Sequence, residues 1–366
     1  MKYYIIAGEA SGDLHGSNLM KAIKQKDPKA DFRFWGGDLM QKEGGIMVKH
    51  YRDLAFMGFL EVAKNLPTIL GNISHCKEDI AQYRPDILVL IDYPGFNLRI
   101  AGFAKSLGIK VVYYISPQLW AWKEGRVKSI RKNVDEMLVI LPFEKDFYQK
   151  HGIHVHFVGH PLLDAISGLQ AVDAQSFRKE NGLNSKDIIA LLPGSRKQEV
   201  EKMLKMMLSV RPYFKEYQFV IAGAPSLTKD FYEKYVDENV HFVSNKTYDL
   251  LRCSKAALVT SGTATLETAL LDIPEVVCYK GSRISYEIGK RLVKNIQYIS
   301  LVNLIMDREV VKELIQDDLT TQHLVHELKL VLGENRKRIL NDYRQLREKL
   351  GGQGASGIAA DIIVNG

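Results

Sequence analysis

Ten short apolar runs, five in each half and separated by helix-patterned stretches, constrain the fold of these 366 residues more than any other feature. The first series is Tyr3–Ala7, Phe32–Trp35, Ile87–Ile91, Val111–Ile115 and Met137–Leu141. The second is Ile188–Leu192, Phe219–Ala222, Val240–Val243, Ala257–Thr260 and Val276–Tyr279. Near-continuous apolar character, rather than strict alternation, is the mark of parallel strands covered on both faces. Two successive βαβα series predict an α/β protein of two doubly wound, Rossmann-like domains facing each other across a cleft. The expected division is residues 1–165, 166–345, and a C-terminal helical segment 346–366 that packs back on an N-terminal domain. The small and polar stretch Asp164–Asp173 marks the first boundary, and the breaker Gly351-Gly352-Gln353-Gly354 precedes a short apolar helix, Ala355–Val364.

Composition removes several classes. With 46% hydrophobic and 25% charged residues, the chain is not a disordered one. Fifty Lys and Arg against 43 Asp and Glu leave a net charge of +7, which suits an anionic ligand or an anionic membrane surface. Cys76, Cys253 and Cys278 are widely spaced, so neither a disulfide framework nor a zinc site is expected, and a reducing cytoplasmic setting fits. The apolar run before Glu9 is too short for a signal peptide, and no stretch approaches the ~18 apolar residues of a spanning helix. The expectation is a protein neither secreted nor transmembrane, with contact to a membrane face left open. No RNA-binding signature is present, so nucleic acid is not an expected partner.

Two motifs in the first half follow strands. Gly8-Glu9-Ala10-Ser11-Gly12-Asp13 is neither GxGxxG nor a Walker A loop. Its acids Glu9 and Asp13 favour a polar, hydroxylated ligand over a phosphate, with Ser11 and Gly12 beside it; the plainer alternative is a turn with Asp13 as helix cap. Asp92-Tyr93-Pro94-Gly95-Phe96-Asn97 puts an acid at the carboxyl end of a strand, where open α/β sheets bind ligands. Half-buried there, Asp92 is a candidate general base with a raised pKa, with Asn97 beside it; the alternative is an Asx-turn. A third segment, Ser116-Pro117-Gln118-Leu119-Trp120-Ala121-Trp122, offers Gln118 and the Trp120 ring for a sugar or lipid, or simply for the core.

The second half carries two strand–turn–helix designs. Leu192-Pro193-Gly194-Ser195-Arg196 presents Ser195, local amides and a bidentate Arg196 to a diphosphate. Ser261-Gly262-Thr263 repeats the arrangement, with Glu267 a turn later suited to ribose hydroxyls. Together they point to a nucleoside diphosphate. Separately, Phe56, Met57, Phe59, Leu60, Val62, Leu66, Ile69 and Leu70 form an apolar surface too wide for one helix stripe. It is either a buried helix pair or an exposed patch that meets acyl chains or a membrane interface.

GEASGD, DxPxFN, SPQxWAW, LPFE (Leu141–Glu144), LLPGSR, SGTAxLE and Ser300-Leu301-Val302-Asn303-Leu304 stand in this order along nearly the whole chain. In this order they resemble the lipid A disaccharide synthases. The resemblance implies a GT-B glycosyltransferase, peripheral on the cytoplasmic face of the inner membrane of a Gram-negative bacterium. It implies an inverting reaction of UDP-2,3-diacylglucosamine with 2,3-diacylglucosamine 1-phosphate, giving a β(1→6) disaccharide 1-phosphate and UDP in lipopolysaccharide synthesis. Asp92 corresponds to the family's essential acid, Arg196, Glu267 and Asn303 to its nucleotide-sugar motifs, and Glu9 and Ser11 to its acceptor-side loop. Relatives often carry a second acid where this chain has Gly95, so Asp92 is the only acid of its motif. No cofactor is implied beyond the UDP-sugar substrate, and no metal: there is no Asp-x-Asp cluster, and the histidines are expected to offer no HxxxH ligand spacing. A homodimer is compatible. The nearest alternatives are a soluble GT-B enzyme acting on UDP-N-acetylglucosamine, such as an epimerase or other hexosaminyltransferase, and a non-catalytic nucleotide-sugar binding protein.

Overall fold

The computed structural model describes residues 1–54, 66–117, 119, 124–224, 227–281 and 297–366. The chain forms two compact units: Met1–Ser167 with Leu350–Gly366, and Gly168–Lys349.

The first unit is built on a seven-stranded parallel sheet of β1 (Lys2–Ala7), β2 (Asp31–Gly36), β3 (Ile46–His50), β4 (Ile87–Ile91), β5 (Lys110–Tyr114), β6 (Glu136–Val139) and β7 (His156–Phe157). Their spatial order is β3-β2-β1-β4-β5-β6-β7. All five residues of β4 are buried, as helices on both faces require. Tyr4, Trp35, Leu88, Leu90 and Tyr113 belong to the core on one side of the sheet. Its polar atoms are paired: the Trp35 indole donates to the Tyr4 hydroxyl (2.8 Å), which donates to Asp79 (2.7 Å), itself ion-paired with Arg33. The C-terminal helix Ala355–Asn365 lies against the helix Ala10–Lys26. Its first turn is held by Asp164, whose carboxylate accepts the N–H groups of Gly354 (2.6 Å) and Ser356 (2.9 Å).

The second unit has a six-stranded parallel sheet of β8 (Asp187–Leu192), β9 (Tyr217–Gly223), β10 (Val240–Ser244), β11 (Ser254–Thr260), β12 (Glu275–Tyr279) and β13 (Lys312–Ile315). The order is β10-β9-β8-β11-β12-β13. In each sheet the strand order reverses once, between β1 and β4 and between β8 and β11. Such switch points leave a crevice outside the carboxyl ends of the strands, the position where this fold class places its ligands. Among the described residues no helix is long and apolar enough to cross a membrane.

Candidate functional site

In the first unit both expected motifs leave the strands that flank the switch point. Ala7 of β1 pairs with Ile91 of β4, so the loop from Gly8 and the acid at Asp92 start side by side. Asp92 and Tyr93 both adopt left-handed backbone (φ 44° and 47°), a conformation that costs non-glycine residues about 1–3 kcal/mol each. Three contacts hold it. The Asp92 carbonyl accepts the Tyr113 hydroxyl (2.5 Å) and the Asn97 amide (2.7 Å), and that amide also reaches the Ile91 carbonyl (3.2 Å). The Tyr93 ring closes over Gly8, where a Cβ would sit 2.4 Å from the ring carbon Cγ, so only glycine fits.

These constraints turn the Asp92 carboxyl into a poorly solvated position. Burial first, and then the negative charge of Glu9, push it up to about 7, opposed by a hydrogen bond from the Tyr93 N–H. A carboxyl poised there is divided between its two protonation states near neutrality, as a general base requires. Glu9 and Ser11 are exposed beside it. Gly12 lies under the loop, where a Cβ would come within 3.1 Å of the Ala7 side chain.

Two residues expected to face a ligand are instead structural. Asp13 is buried, and its carboxylate accepts the N–H groups of Gly37 (2.8 Å), Leu39 (3.0 Å) and Met40 (3.0 Å). It caps the helix Asp38–Lys42, not its own helix, and is buried in doing so. Asn97 is fully buried under the Asp92 turn, so it shapes the site from below. Gln118 and Trp120 lie outside the described residues, as do Phe56, Met57, Phe59, Leu60 and Val62 of the apolar surface.

In the second unit the two phosphate-type turns likewise flank the switch point. Pro193–Arg196 joins β8 to the helix Lys197–Leu208, with Ser195 and Arg196 exposed. Gly194 has φ 103°, and a Cβ there would collide with the Glu199 carboxylate at 2.3 Å; Glu199 in turn accepts the Ser195 N–H (3.3 Å). Ser261-Gly262 joins β11 to the helix Thr263–Leu270. The Ser261 N–H donates to Cys278 (3.2 Å) and its hydroxyl to Ile299 (3.0 Å). Gly262 (φ 156°) then opens the helix, with the N–H groups of Thr263 and Ala264 at its very start and the Thr265 N–H already donating to the Gly262 carbonyl (3.2 Å). Helix N-termini and an Arg fork at one sheet end make an anion-binding arrangement.

A model of the family described as Lipid-A-disaccharide synthetase matches residues 3–362. The lipid-A-disaccharide synthase of Syntrophus aciditrophicus (strain SB) is 41% identical, over 97% of this chain and 95% of its own. The chain belongs to the lipid-A-disaccharide synthase family. The synthase of Trichlorobacter lovleyi is 37% identical over 99% of this chain and 96% of its own. Among solved structures, the S. aureus MnaA–UDP co-structure superposes with a TM-score of 0.71 at 12% identity, covering 99% of this chain and 95% of that one. The UDP-GlcNAc 2-epimerase of Neisseria meningitidis bound to UDP-GlcNAc gives 0.67 at 13% identity over the whole of both. At that identity the likeness concerns the fold alone, which is the GT-B arrangement of two Rossmann-like domains.

Within this synthase-family chain, Glu267 has a partner that no motif announced. The Tyr248 hydroxyl is hydrogen-bonded to its carboxyl, which burial raises above the usual glutamate range while that bond opposes the shift. Asn303 is engaged with its own loop. It is fully buried, its Nδ2 donates to the Val311 carbonyl (2.8 Å) and Glu313 (2.9 Å), and its Oδ1 accepts the N–H groups of Val310 (2.8 Å) and Val311 (3.0 Å). A fully buried, hydrogen-bonded amide of this kind holds its loop. The histidine expectation also needs correcting, because His156 and His160 do stand at HxxxH spacing. His156 pairs with Glu136 (2.9 Å) and His160 Nδ1 accepts the Leu162 N–H (3.2 Å). Among the described residues no group of three or more His, Cys, Asp or Glu is placed to hold a metal ion.

Proposed function

We propose that this family member condenses UDP-2,3-diacylglucosamine with 2,3-diacylglucosamine 1-phosphate, forming a β(1→6) disaccharide 1-phosphate and UDP with inversion. The acceptor 6-hydroxyl oxygen attacks the anomeric carbon. The bond from that carbon to the β-phosphate oxygen breaks, the electron pair leaves with UDP, and the hydroxyl proton passes to the Asp92 carboxylate. Charge arriving on the β-phosphate is met by Arg196, Ser195, and the first-turn amides around Gly262 and Thr263. Glu267 receives the ribose hydroxyls, and Glu9 and Ser11 line the acceptor side. No cofactor enters this account. The observation that carries it is the strained, half-buried Asp92 at the switch point, with its carboxyl at about 7.

We place the protein on the cytoplasmic face of the inner membrane, where both acylated substrates reside. The described end of the apolar surface supports contact with lipid: Leu70 is 52% exposed, while Ile69, next to it, packs against the first unit's core. Mixing purified protein with the two acylated sugars tests the reaction. Disaccharide 1-phosphate and stoichiometric UDP, seen by mass spectrometry, are expected. UDP release without a disaccharide, or no turnover, overturns the assignment.

A further inference from the structure

We propose that Glu313 is a positioning residue for the diphosphate turn, acting through the Ile299 peptide and the Ser261 hydroxyl. The inference rests on the reading of Ser261–Thr263 as part of the nucleotide site.

Glu313 lies on β13, paired in register with Val277 of β12. Its Oε2 accepts the Ile299 N–H (2.9 Å). Its Oε1 accepts three donors: the Ser300 N–H (2.9 Å), the Ser300 hydroxyl (2.7 Å) and the Asn303 amide (2.9 Å). Four donors converge on the two oxygens of one side chain, a set that an amide, with an NH₂ in place of one oxygen, cannot accept in full. The neighbouring Glu275 is fully buried, and burial first, then the Glu313 charge, holds its carboxyl well above the usual range.

The link to the site is a single peptide. Ile299 gives its N–H to Glu313 and receives the Ser261 hydroxyl on its carbonyl (3.0 Å). Ser261 is the residue before Gly262, at which the phosphate-type helix begins. Pulling on Ile299 therefore moves the Ser261 side chain and, one residue on, the amides aimed at the β-phosphate. Asn303 anchors the same segment from the other side by its bonds to Val310 and Val311. Its place among the family motifs is thereby explained without any contact to the ligand.

A double-mutant cycle on UDP affinity, read by calorimetry, tests the link. In Glu313→Gln, whichever way the amide turns, its NH₂ faces a backbone donor, Ile299 or Ser300. UDP affinity is expected to fall on the order of tenfold, the size of one lost charge-assisted hydrogen bond, with KM for the UDP-sugar rising more than kcat falls. In a Ser261→Ala background, where the connection is already cut, the same change is expected to alter affinity less than about twofold. Additive losses, or unchanged affinity in Glu313→Gln, overturn the proposal. Should Glu313→Gln not fold, Ser300→Ala removes one of the four donors and takes its place in the cycle, with the same two outcomes. Failure of the unaltered protein to bind UDP overturns the nucleotide-site reading instead, and is distinguishable from additivity.

Discussion

The Tyr113 hydroxyl donates a 2.5 Å hydrogen bond to the main-chain carbonyl of Asp92, from the strand next door. With the Asn97 amide on the same oxygen, it pins a backbone that is left-handed at two successive non-glycine residues. The clamp acts on the peptide, so the carboxyl is aimed without being consumed. Tyr113→Phe removes the hydroxyl and little else. It should cost about 0.5–1.5 kcal/mol of stability and lower kcat several-fold, because the strained turn relaxes and the carboxyl swings from its line of attack. Thermal melts and steady-state kinetics on the same preparation check both. Unchanged kcat beside the expected stability loss would show that the clamp serves the fold only.

Asp92→Asn keeps the volume and removes the base, so kcat should drop by ~10²–10⁴-fold with the fold intact. The pH dependence has a definite sign. A base held at about 7 is inactive when protonated, so kcat/KM should rise with pH through roughly neutrality and then level. Stability runs the other way. The folded state binds the Asp92 proton more tightly than the unfolded chain, so this group's contribution weakens as pH climbs from about 4 to about 7. Asp92→Asn should therefore melt higher than the unaltered protein at pH 8 and show little difference at pH 4. Near-normal turnover in Asp92→Asn removes this residue from the mechanism.

Arg196 stands exposed at the turn after β8. Losing one charge-assisted contact of ~1.5–3 kcal/mol predicts that Arg196→Ala weakens UDP binding roughly 10–150-fold. Arg196→Lys should recover only part of this, since an ammonium lacks the planar fork that matches a diphosphate. Titration calorimetry with UDP gives the answer, and equal affinities in all three proteins contradict the assignment.

All ten apolar runs read from the sequence coincide with strands: nine lie inside their sheets, where parallel strands are buried on both faces and must be apolar throughout, and the tenth, β10, is an edge strand that still buries Val240 and Val243. The three strands not anticipated, β3, β7 and β13, are sheet edges. There Lys49, His50, His156, Lys312 and Glu313 interrupt the apolar pattern, since an edge meets solvent on one side. Loops at strand ends were legible for the same reason: the switch points follow from strand order, and the acid and glycine signatures sit just past the runs. What the sequence hid is long-range pairing. Tyr113 stands 21 residues from Asp92, and Glu313 stands 14 from Ile299 on an unanticipated edge strand. Asp13 and Asn303 are bonded to neighbouring backbone in ways their motifs do not announce, because membership of a motif does not distinguish a side chain that touches ligand from one that holds the loop.

The apolar surface yields a prediction that separates its two readings at adjacent positions. Leu70 is exposed on the helix Leu66–Tyr83, whereas Ile69 packs against the core. Leu70→Gln should leave the melting temperature nearly unchanged, because no buried contact is lost, yet reduce binding to liposomes of anionic phospholipid and raise KM for acylated acceptor. Adding Met57→Ser, Phe59→Ser and Leu60→Gln should deepen both effects. Ile69→Ala is the contrast: a partly buried large-to-small change should lower stability by a sizeable part of the ~2–5 kcal/mol seen in full cores, with liposome binding by the folded fraction retained. Sedimentation with vesicles and differential scanning calorimetry measure the two quantities independently. A large thermal loss in Leu70→Gln and its combinations, with vesicle binding unaltered, would make this surface part of the core and remove it from membrane contact.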